Sequence, residues 1–350
     1  MPALSSSERP LRIVVADDST FMRRLLADAL GRAGFVVAAV AADGDEALDL
    51  CRQHAPDVLT LDLAMPGLDG IGVLRVLRDA ASPIPVVVVS AFSPAHGARA
   101  VDALAEGAVE LVAKPAVGES VNGFTAELAE KVRLAAGSRP RRAPASPAPV
   151  RRERPPRRPA GGGRPRVVVI ATSTGGPRAL AELLPRLPAR LGAGTVIVQH
   201  MPPGFTGSLA DRLDRASPLT VREATGGETL DPGTVLVAPG GSHLRLARER
   251  RTELSQEAAV GGLRPRADVT IADAARLFGP DLLLVVLTGM GKDGLEGARE
   301  VRRRGGRVLA EAESTCTVYG MPRAVVEEGL ADGVYPLPEL AAAIAKEAGT

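Results

Sequence analysis

The sequence has 350 residues, which is enough for two domains, because single hydrophobic cores stop growing well below that length. Its two cysteines exclude a disulfide-stabilised secreted fold, and the absence of tryptophan, with 2% aromatic residues in all, argues against a nucleic acid partner. The net charge is +2 and no apolar run approaches the roughly 20 residues of a membrane span, so a cytoplasmic protein without direct membrane insertion is expected.

Five short apolar runs alternate with amphipathic stretches in the first part of the chain, residues 11–135. The apolar runs are LRIVVA, FVVAAV, DVLTL, PVVVVS and VELVA. Helices are predicted to begin at or near Ser19, Gly44, Gly70, His96 and Glu119. This alternation predicts a doubly wound α/β domain with a parallel sheet, in which functional residues gather at the carboxyl ends of the strands.

Polar side chains follow four of these predicted strands. They are Asp17, Asp18, Asp62, Ser90 and Lys114. Three carboxylates at one edge of a sheet repel one another unless a hard cation lies among them, and oxygen ligands suit Mg²⁺. The pattern predicts a Mg²⁺-dependent phosphorylation site, in which Asp62 is the nucleophile and the hydroxyl and the amine bind the phosphoryl group. Each aspartate alone could be a helix cap, but the matched positions favour a functional site.

The segments ADDS, LDLAMPGLDG and AKP together resemble the receiver domain of two-component response regulators, over essentially all of residues 11–135. The resemblance implies a flavodoxin-like fold and phosphorylation of Asp62 by a histidine kinase. It also implies a metal site formed by Asp17, Asp18, Asp62 and the backbone carbonyl of Ala64. Leu111 stands at a position that is commonly aromatic in this family and acts there as a switch.

The next segment, residues 136–165, is rich in proline, arginine, alanine and glycine. From Arg139 to Arg166 the chain has ten arginines and a single acidic residue, Glu153, so the rest of the chain is net negative. Because this segment has almost nothing to bury, it is predicted to be a disordered linker between two domains. The alternative to a simple tether is contact of the arginines with nucleic acid or anionic lipid.

Three apolar runs in the remaining sequence each lead to a residue that can take part in catalysis. Ser173 follows the run in RVVVIATSTGG, His200 follows that in TVIVQHMPPGFT, and Asp293 follows that in LLLVVLTGMGKDG. A parallel sheet brings such strand ends to one edge, so a Ser-His-Asp triad is predicted. His200 would take the proton of Ser173, and Asp293 would orient the imidazole.

Other interpretations of the Ser173 turn explain less of the sequence. TSTGGP matches neither the dinucleotide fingerprint nor the lysine-bearing phosphate loop, and the turn is not Gly-x-Ser-x-Gly. A helix-capping serine would leave His200 and Asp293 unexplained. A competing histidine, His243, lies in the glycine-rich APGGSHL segment and is predicted to be a structural or substrate-side residue.

Six further motifs are STGGP, QHMPPGFT, VLVAPGGSHLRL, RADVTIADAA, LTGMGKDG and ESTCTVYGMPRA. With the receiver-like segment and the linker, they resemble the chemotaxis protein-glutamate methylesterases, the CheB family, over nearly the whole chain. The resemblance implies a Rossmann-like esterase domain at residues 166–350 that needs no cofactor. It also implies hydrolysis of glutamate methyl esters on chemoreceptors, deamidation of receptor glutamines and recruitment to receptor arrays.

Carried onto this sequence, the resemblance assigns roles to five residues. Ser173 is the nucleophile, His200 the general base and Asp293 the orienting acid. Thr174 supports the histidine, and the backbone N–H of Met290 lies at the oxyanion site. The fold class implied for the whole chain is therefore two doubly wound, parallel-sheet α/β domains joined by a disordered linker.

The alternative function is that of a response regulator whose output domain only binds DNA or a protein partner. No helix-turn-helix pattern follows the linker. A binding domain also has no need for serine, histidine and aspartate at three strand ends. These observations favour an enzyme.

Overall fold

The computed structural model describes residues 9–80, 84–91, 94–115, 121–138 and 165–349. Within them the chain forms two compact units, each built on its own parallel sheet. The predicted linker lies mostly outside the described residues, which stop at 138 and resume at 165. None of the described helices is long and apolar enough to cross a lipid bilayer.

The described residues up to 138 contain five strands and five helices. The strands are β1 (Arg12–Ala16), β2 (Val36–Ala41), β3 (Val58–Leu61), β4 (Val86–Ser90) and β5 (Glu110–Ala113). The helices are α1 (Thr20–Arg32), α2 (Gly44–His54), α3 (Gly70–Arg78), α4 (Pro94–Glu106) and α5 (Val121–Gly137). All neighbouring strands are parallel, in the order β2-β1-β3-β4-β5. This is the order of a flavodoxin-like fold, so the predicted fold of this unit is confirmed.

Polar residues at the carboxyl edge of this sheet start three of its helices. The side chains of Ser19, Asp43 and Asp69 each accept a hydrogen bond from a backbone N–H in the first turn of α1, α2 and α3. The predicted helix starts in these places are therefore confirmed, whereas Glu119 lies outside the described residues. Helix α5 continues to Gly137, two residues beyond the predicted domain boundary.

Within the described range 165–349, the second unit contains nine strands and six helices. The strands are β6 (Val167–Thr172), β7 (Thr195–Gln199), β8 (Thr220–Glu223), β9 (Thr234–Val237), β10 (His243–Leu246), β11 (Thr252–Ser255), β12 (Leu282–Val286), β13 (Arg307–Glu311) and β14 (Gly333–Tyr335). The helices are α6 (Gly176–Leu183), α7 (Phe205–Ala216), α8 (Ala267–Phe278), α9 (Leu295–Arg303), α10 (Met321–Glu327) and α11 (Leu337–Ala348). Strands β10 and β11 form a separate antiparallel ribbon.

The other seven strands form one parallel sheet in the order β14-β13-β12-β6-β7-β9-β8. Strands β7, β9 and β8 lie on one side of β6, and strands β12, β13 and β14 lie on the other. The winding direction of the sheet therefore changes between β6 and β12. Ligands of open α/β sheets bind at such a switch point. Strands β6, β7 and β12 are buried along their whole length, as expected for a parallel sheet covered on both faces. The predicted Rossmann-like fold is confirmed.

Candidate functional site

Three neighbouring strands of the second sheet place the predicted triad at its carboxyl edge. Ser173 and His200 directly follow β6 and β7, and Asp293 lies in the segment after β12. Because β6 lies between the other two strands, the serine follows the central strand at the switch point. The side-chain Nε2 of Gln199 donates to the backbone carbonyls of both Ser173 and His200 at 3.0 Å, which joins the two strand ends.

His200 and Asp293 are in direct contact through the imidazole Nε2, which lies 2.7 Å from the Asp293 Oδ2. The side chains are 9% and 2% exposed, so water screens this pair weakly. In chymotrypsin-like triads the aspartate binds Nδ1, and Nε2 faces the serine. Here the aspartate binds Nε2 instead, so Nδ1 is the ring nitrogen that Asp293 leaves free.

The Asp293 carboxylate also lies at the amino terminus of α8. It accepts hydrogen bonds from the backbone N–H groups of Ala267 at 2.6 Å and Asp268 at 2.9 Å, and the Arg266 guanidinium lies 3.4 Å away. Burial raises the pKa of Asp293, but its bonds to His200 and to these backbone groups outweigh burial and lower the pKa to about 2. The carboxylate is therefore ionised at neutral pH and can hold and stabilise the imidazole.

Asp268 makes a matching set of contacts at the amino terminus of α9. Its Oδ1 accepts from the backbone N–H groups of Gly294 at 2.9 Å and Gly297 at 2.8 Å. Burial, followed by the neighbouring charge of Asp293, raises the pKa of Asp268. Asp268 was not among the residues predicted to form the site, although it lies in the RADVTIADAA motif, where an acidic residue follows directly after a helix start.

The nucleophile turn is held by Thr288, in the segment after β12. The Thr288 carbonyl accepts from the backbone N–H of Ser173 at 3.1 Å and from the Thr172 hydroxyl at 2.9 Å. Gly289 follows, and a Cβ at this residue would lie 2.8 Å from the Ser173 Cβ, so only glycine allows this close approach. Because its own N–H is already bonded, Ser173 cannot donate that group to an oxyanion.

The two other predicted esterase residues lie beside this turn. Met290 follows Gly289 and is 42% exposed, and within the described ranges no residue accepts its backbone N–H. This free donor beside the serine is suitable for an oxyanion. Thr174 is buried, and its carbonyl accepts from the Thr288 hydroxyl at 2.9 Å. Among the residues that the structure describes, no hydrogen bond joins Thr174 to His200, so that supporting role stays a prediction.

His243 is buried at the start of β10, and both of its ring nitrogens contact backbone groups. Its Nδ1 accepts from the backbone N–H of Arg266 at 3.3 Å, and its Nε2 lies 3.3 Å from the Ala258 carbonyl. These contacts fix the segment that follows the ribbon against the start of α8, which is a structural role.

The first sheet gathers its acidic residues as predicted. Carboxylate oxygens of Asp17, Asp18 and Asp62 all lie within 4.8 Å of one another. Lys114 Nζ lies 2.7 Å from Asp17 Oδ2 and 3.0 Å from Asp62 Oδ2. Burial lowers the pKa of Lys114, but the two carboxylates outweigh it and raise the pKa overall. Burial raises the pKa of Asp17, and the lysine opposes that change.

The surroundings of this cluster fit a metal and a phosphoryl group. Ser90 is 1% exposed, and its hydroxyl has no hydrogen-bond partner within the described part of the chain. Its carbonyl accepts from the Lys114 backbone N–H at 2.8 Å, which holds both residues at the same edge. Ala64 lies exposed two residues after Asp62, and Leu111 is buried in β5. An unpaired buried hydroxyl beside three carboxylates and an ammonium group suits a ligand with oxygen atoms.

Two family models match this chain. The model of the response regulator receiver domain matches residues 13–122, and the model of the CheB methylesterase matches residues 168–344. The chain belongs to the CheB methylesterase family. The predicted family is therefore confirmed, and with it an enzyme as opposed to a binding module.

Individual CheB relatives match over nearly the full length. A protein-glutamate methylesterase/protein-glutamine glutaminase of Symbiobacterium thermophilum is 46% identical, over 98% of this chain and 98% of the relative. The enzyme with the same name from Thermotoga maritima is 41% identical, over 94% of this chain and 96% of its own. This chain also matches the crystal structure of the Thermotoga maritima CheB methylesterase catalytic domain, with 46% sequence identity and a TM-score of 0.51. The match covers 52% of this chain and 98% of that domain.

Proposed function

We propose that this CheB-family chain hydrolyses glutamate methyl esters on chemoreceptors, releases methanol, and deamidates receptor glutamines. The observation that carries the proposal is the 2.7 Å bond between His200 Nε2 and Asp293, at a sheet edge shared with Ser173. The relatives in Symbiobacterium and Thermotoga are named for both activities. The Ser-His-Asp mechanism uses three side chains at three adjacent strand ends.

The reaction begins with attack of the Ser173 Oγ on the ester carbonyl carbon, while Nδ1 of His200 takes the hydroxyl proton. The Met290 N–H donates to the oxyanion of the tetrahedral intermediate, and Asp293 stabilises the imidazolium. The carbon–methoxy bond then breaks, and the imidazolium protonates the leaving methoxide to give methanol. Water, activated by the same nitrogen, hydrolyses the acyl-enzyme and leaves a glutamate carboxylate. A glutamine side chain follows the same steps and releases ammonia.

The receiver unit takes a phosphoryl group on Asp62. Mg²⁺, when bound by Asp17, Asp18, Asp62 and the carbonyl of Ala64, supplies positive charge that neutralises phosphate oxygens. The carboxylate of Asp62 attacks the phosphorus of a phosphohistidine on the chemotaxis kinase, the P–N bond breaks, and the kinase imidazole leaves. The Ser90 hydroxyl and the Lys114 ammonium then bind the oxygens of the product.

Phosphorylation increases the esterase rate in this proposal, so the enzyme removes methyl groups when the kinase is active and contributes to chemotactic adaptation. A phosphoryl group adds about two negative charges, which is enough to reposition nearby loops. Methyl-accepting chemoreceptors are the substrates and a histidine kinase is the phosphodonor. The chain acts in the cytoplasm at receptor arrays.

The proposal is tested by methanol release from a methylated receptor fragment, with and without a small-molecule phosphodonor and Mg²⁺. A serine-reactive fluorophosphonate probe should label the parent chain at Ser173 and leave Ser173→Ala unlabelled. A response regulator with a non-catalytic output domain would release no methanol and would not be labelled at this residue. Either of these results for the parent chain contradicts the proposed esterase.

A further inference from the structure

Glu311, the last residue of β13, is a fully buried acidic residue close to the nucleophile turn. Its Oε2 accepts from the backbone N–H of Thr288 at 2.8 Å, and its Oε1 accepts from the Thr315 hydroxyl at 2.9 Å. Both oxygens act as acceptors; burial raises the pKa of Glu311, and the bonds from Thr288 and Thr315 oppose that change. A buried carboxylate is costly unless it is paired in this way, so its contacts need an explanation.

Thr288 connects this carboxylate to the nucleophile. While its N–H donates to Glu311, its carbonyl accepts from the Ser173 N–H at 3.1 Å. Its hydroxyl donates to the Thr174 carbonyl at 2.9 Å and accepts from the Val318 N–H at 3.0 Å. Every polar group of Thr288 therefore takes part in a hydrogen bond. Its carbonyl and its hydroxyl bind the backbone on either side of the Ser173 hydroxyl.

The same segment also supplies the oxyanion donor of the proposed mechanism. Met290 lies two residues after Thr288, and the intervening Gly289 packs directly on Ser173. The Gly289 carbonyl accepts from the N–H groups of Gly320 at 3.1 Å and Met321 at 2.9 Å, so this short segment is fixed on both sides. A shift of Thr288 would move the Met290 N–H relative to the serine hydroxyl.

We propose that Glu311 is a positioning residue for the esterase reaction. Its carboxylate fixes Thr288, and through Thr288 it fixes the distance between the Ser173 hydroxyl and the oxyanion-binding N–H of Met290. This inference rests on the proposed esterase function and extends it to a residue that touches no substrate.

The expected effect is confined to the chemical step. Because Glu311 is buried beneath the turn, its loss leaves substrate binding intact and reduces stabilisation of the transition state, which lowers kcat and leaves KM unchanged. Misplacement of a reacting group by about 1 Å costs on the order of 100-fold in rate. We therefore expect Glu311→Leu to lower kcat by about 10- to 100-fold, with KM within about twofold of the parent.

Two further variants separate positioning from general stabilisation of the fold. Glu311→Gln keeps an acceptor oxygen for the Thr288 N–H at the same chain length, and it should restore kcat to within about threefold of the parent. Thr315→Val is the matched control, because it removes the partner of the other carboxylate oxygen and leaves the Thr288 bond in place. It should also keep kcat within about threefold.

The measurements are kcat and KM for methanol release, the rate of fluorophosphonate labelling, and circular dichroism to verify folding of each full-length variant. A folded Glu311→Leu with parental kcat, or a Glu311→Gln as slow as Glu311→Leu, overturns the positioning role. If Glu311→Leu does not fold, Glu311→Asp decides, since the shorter side chain withdraws the carboxylate from the Thr288 N–H; parental kcat in that folded variant overturns the proposal. A parent chain that releases no methanol contradicts the esterase function itself, and this inference with it.

Discussion

Asp293 and Asp268 make reciprocal contacts, in which each carboxylate accepts hydrogen bonds from the start of the helix next to the other residue. Asp293 binds the first two N–H groups of α8, which contains Asp268, and Asp268 binds N–H groups at the start of α9, which Asp293 precedes. Because each helix end is occupied by the carboxylate of the neighbouring segment, the two helices and Asp293 are positioned together.

This exchange predicts that Asp268→Ala affects both stability and activity. Loss of the two bonds to α9 should lower the free energy of unfolding by about 1–2 kcal/mol, the usual cost of a lost helix cap. It should also lower kcat, because the start of α9, which Asp293 directly precedes, is released. Urea unfolding and methanol release measure the two effects. Glu296→Ala is the control, since this exposed side chain in the first turn of α9 should change stability by under about 0.5 kcal/mol.

The triad itself predicts an unequal set of losses. Ser173→Ala and His200→Ala should each remove nearly all methanol release, because nucleophile and base act as one unit. Asp293→Asn should retain more activity, since the asparagine oxygen and amide still fill the site while the charge is lost. Release of methanol by Ser173→Ala at the parental rate would show that another residue is the nucleophile.

The lowered pKa of Asp293 predicts a specific loss of stability in acid. The folded-state pKa, about 2, lies below the ordinary value of 3.8, so the ionised form stabilises the fold above about pH 4 and this contribution is lost as the pH falls toward 2. It amounts to about 2 kcal/mol. In the esterase unit alone, residues 165–349, Asp293→Asn should lose less stability between pH 5 and pH 2.5 than the parent fragment. If urea unfolding shows that the two fragments lose the same free energy of unfolding between pH 5 and pH 2.5, the assignment to Asp293 is contradicted.

Control by the receiver is tested by two changes to the chain. Asp62→Asn should stay at the basal esterase rate when a phosphodonor and Mg²⁺ are added, because the nucleophilic carboxylate is absent. A fragment of residues 166–350 should be active without phosphate, since it lacks the regulatory unit. Methanol release from the same methylated receptor measures both, with Ser173→Ala as the blank. A fragment no faster than the unphosphorylated full chain would show that the receiver does not inhibit the esterase.

The linker arginines give a fifth prediction. If the segment is only a tether, replacement of the arginines in residues 139–164 by serine or glutamine should leave basal and phosphorylated rates on receptor fragments within about twofold. A larger loss that is relieved at low salt would instead indicate contact with an acidic surface. The same assay at two salt concentrations distinguishes these outcomes.

The strand-end residues could be predicted from the sequence for a simple physical reason. A parallel sheet brings the carboxyl ends of its strands to one edge, so a polar residue after an apolar run has a known position even when its partners are distant in sequence. Ser173, His200 and Asp293 follow this rule in the second sheet, and Asp62 and Lys114 follow it in the first.

The supporting residues could not be predicted in this way. Thr288 and Glu311 act through backbone groups of neighbouring segments, and such contacts leave no periodic pattern in the sequence. Asp268 resembles an ordinary acidic residue in the first turn of a helix, and only the packing of α8 beside α9 shows what it binds. The ring nitrogen of His200 that faces Asp293 depends on the path of the chain after β7, and spacing alone carries no information about it.

Because Asp293 contacts Nε2 of His200, it influences which ring nitrogen of the neutral imidazole carries the hydrogen. Between the two neutral tautomers of the imidazole, a carboxylate acceptor at Nε2 selects the one with its hydrogen on that nitrogen, which is also the more abundant tautomer of histidine in water. Chymotrypsin-like sites must instead hold the scarcer tautomer. In a ¹⁵N spectrum of the resting protein, the Nε2 of His200 should therefore have the chemical shift of a protonated, pyrrole-like nitrogen, and Nδ1 that of a bare, pyridine-like one.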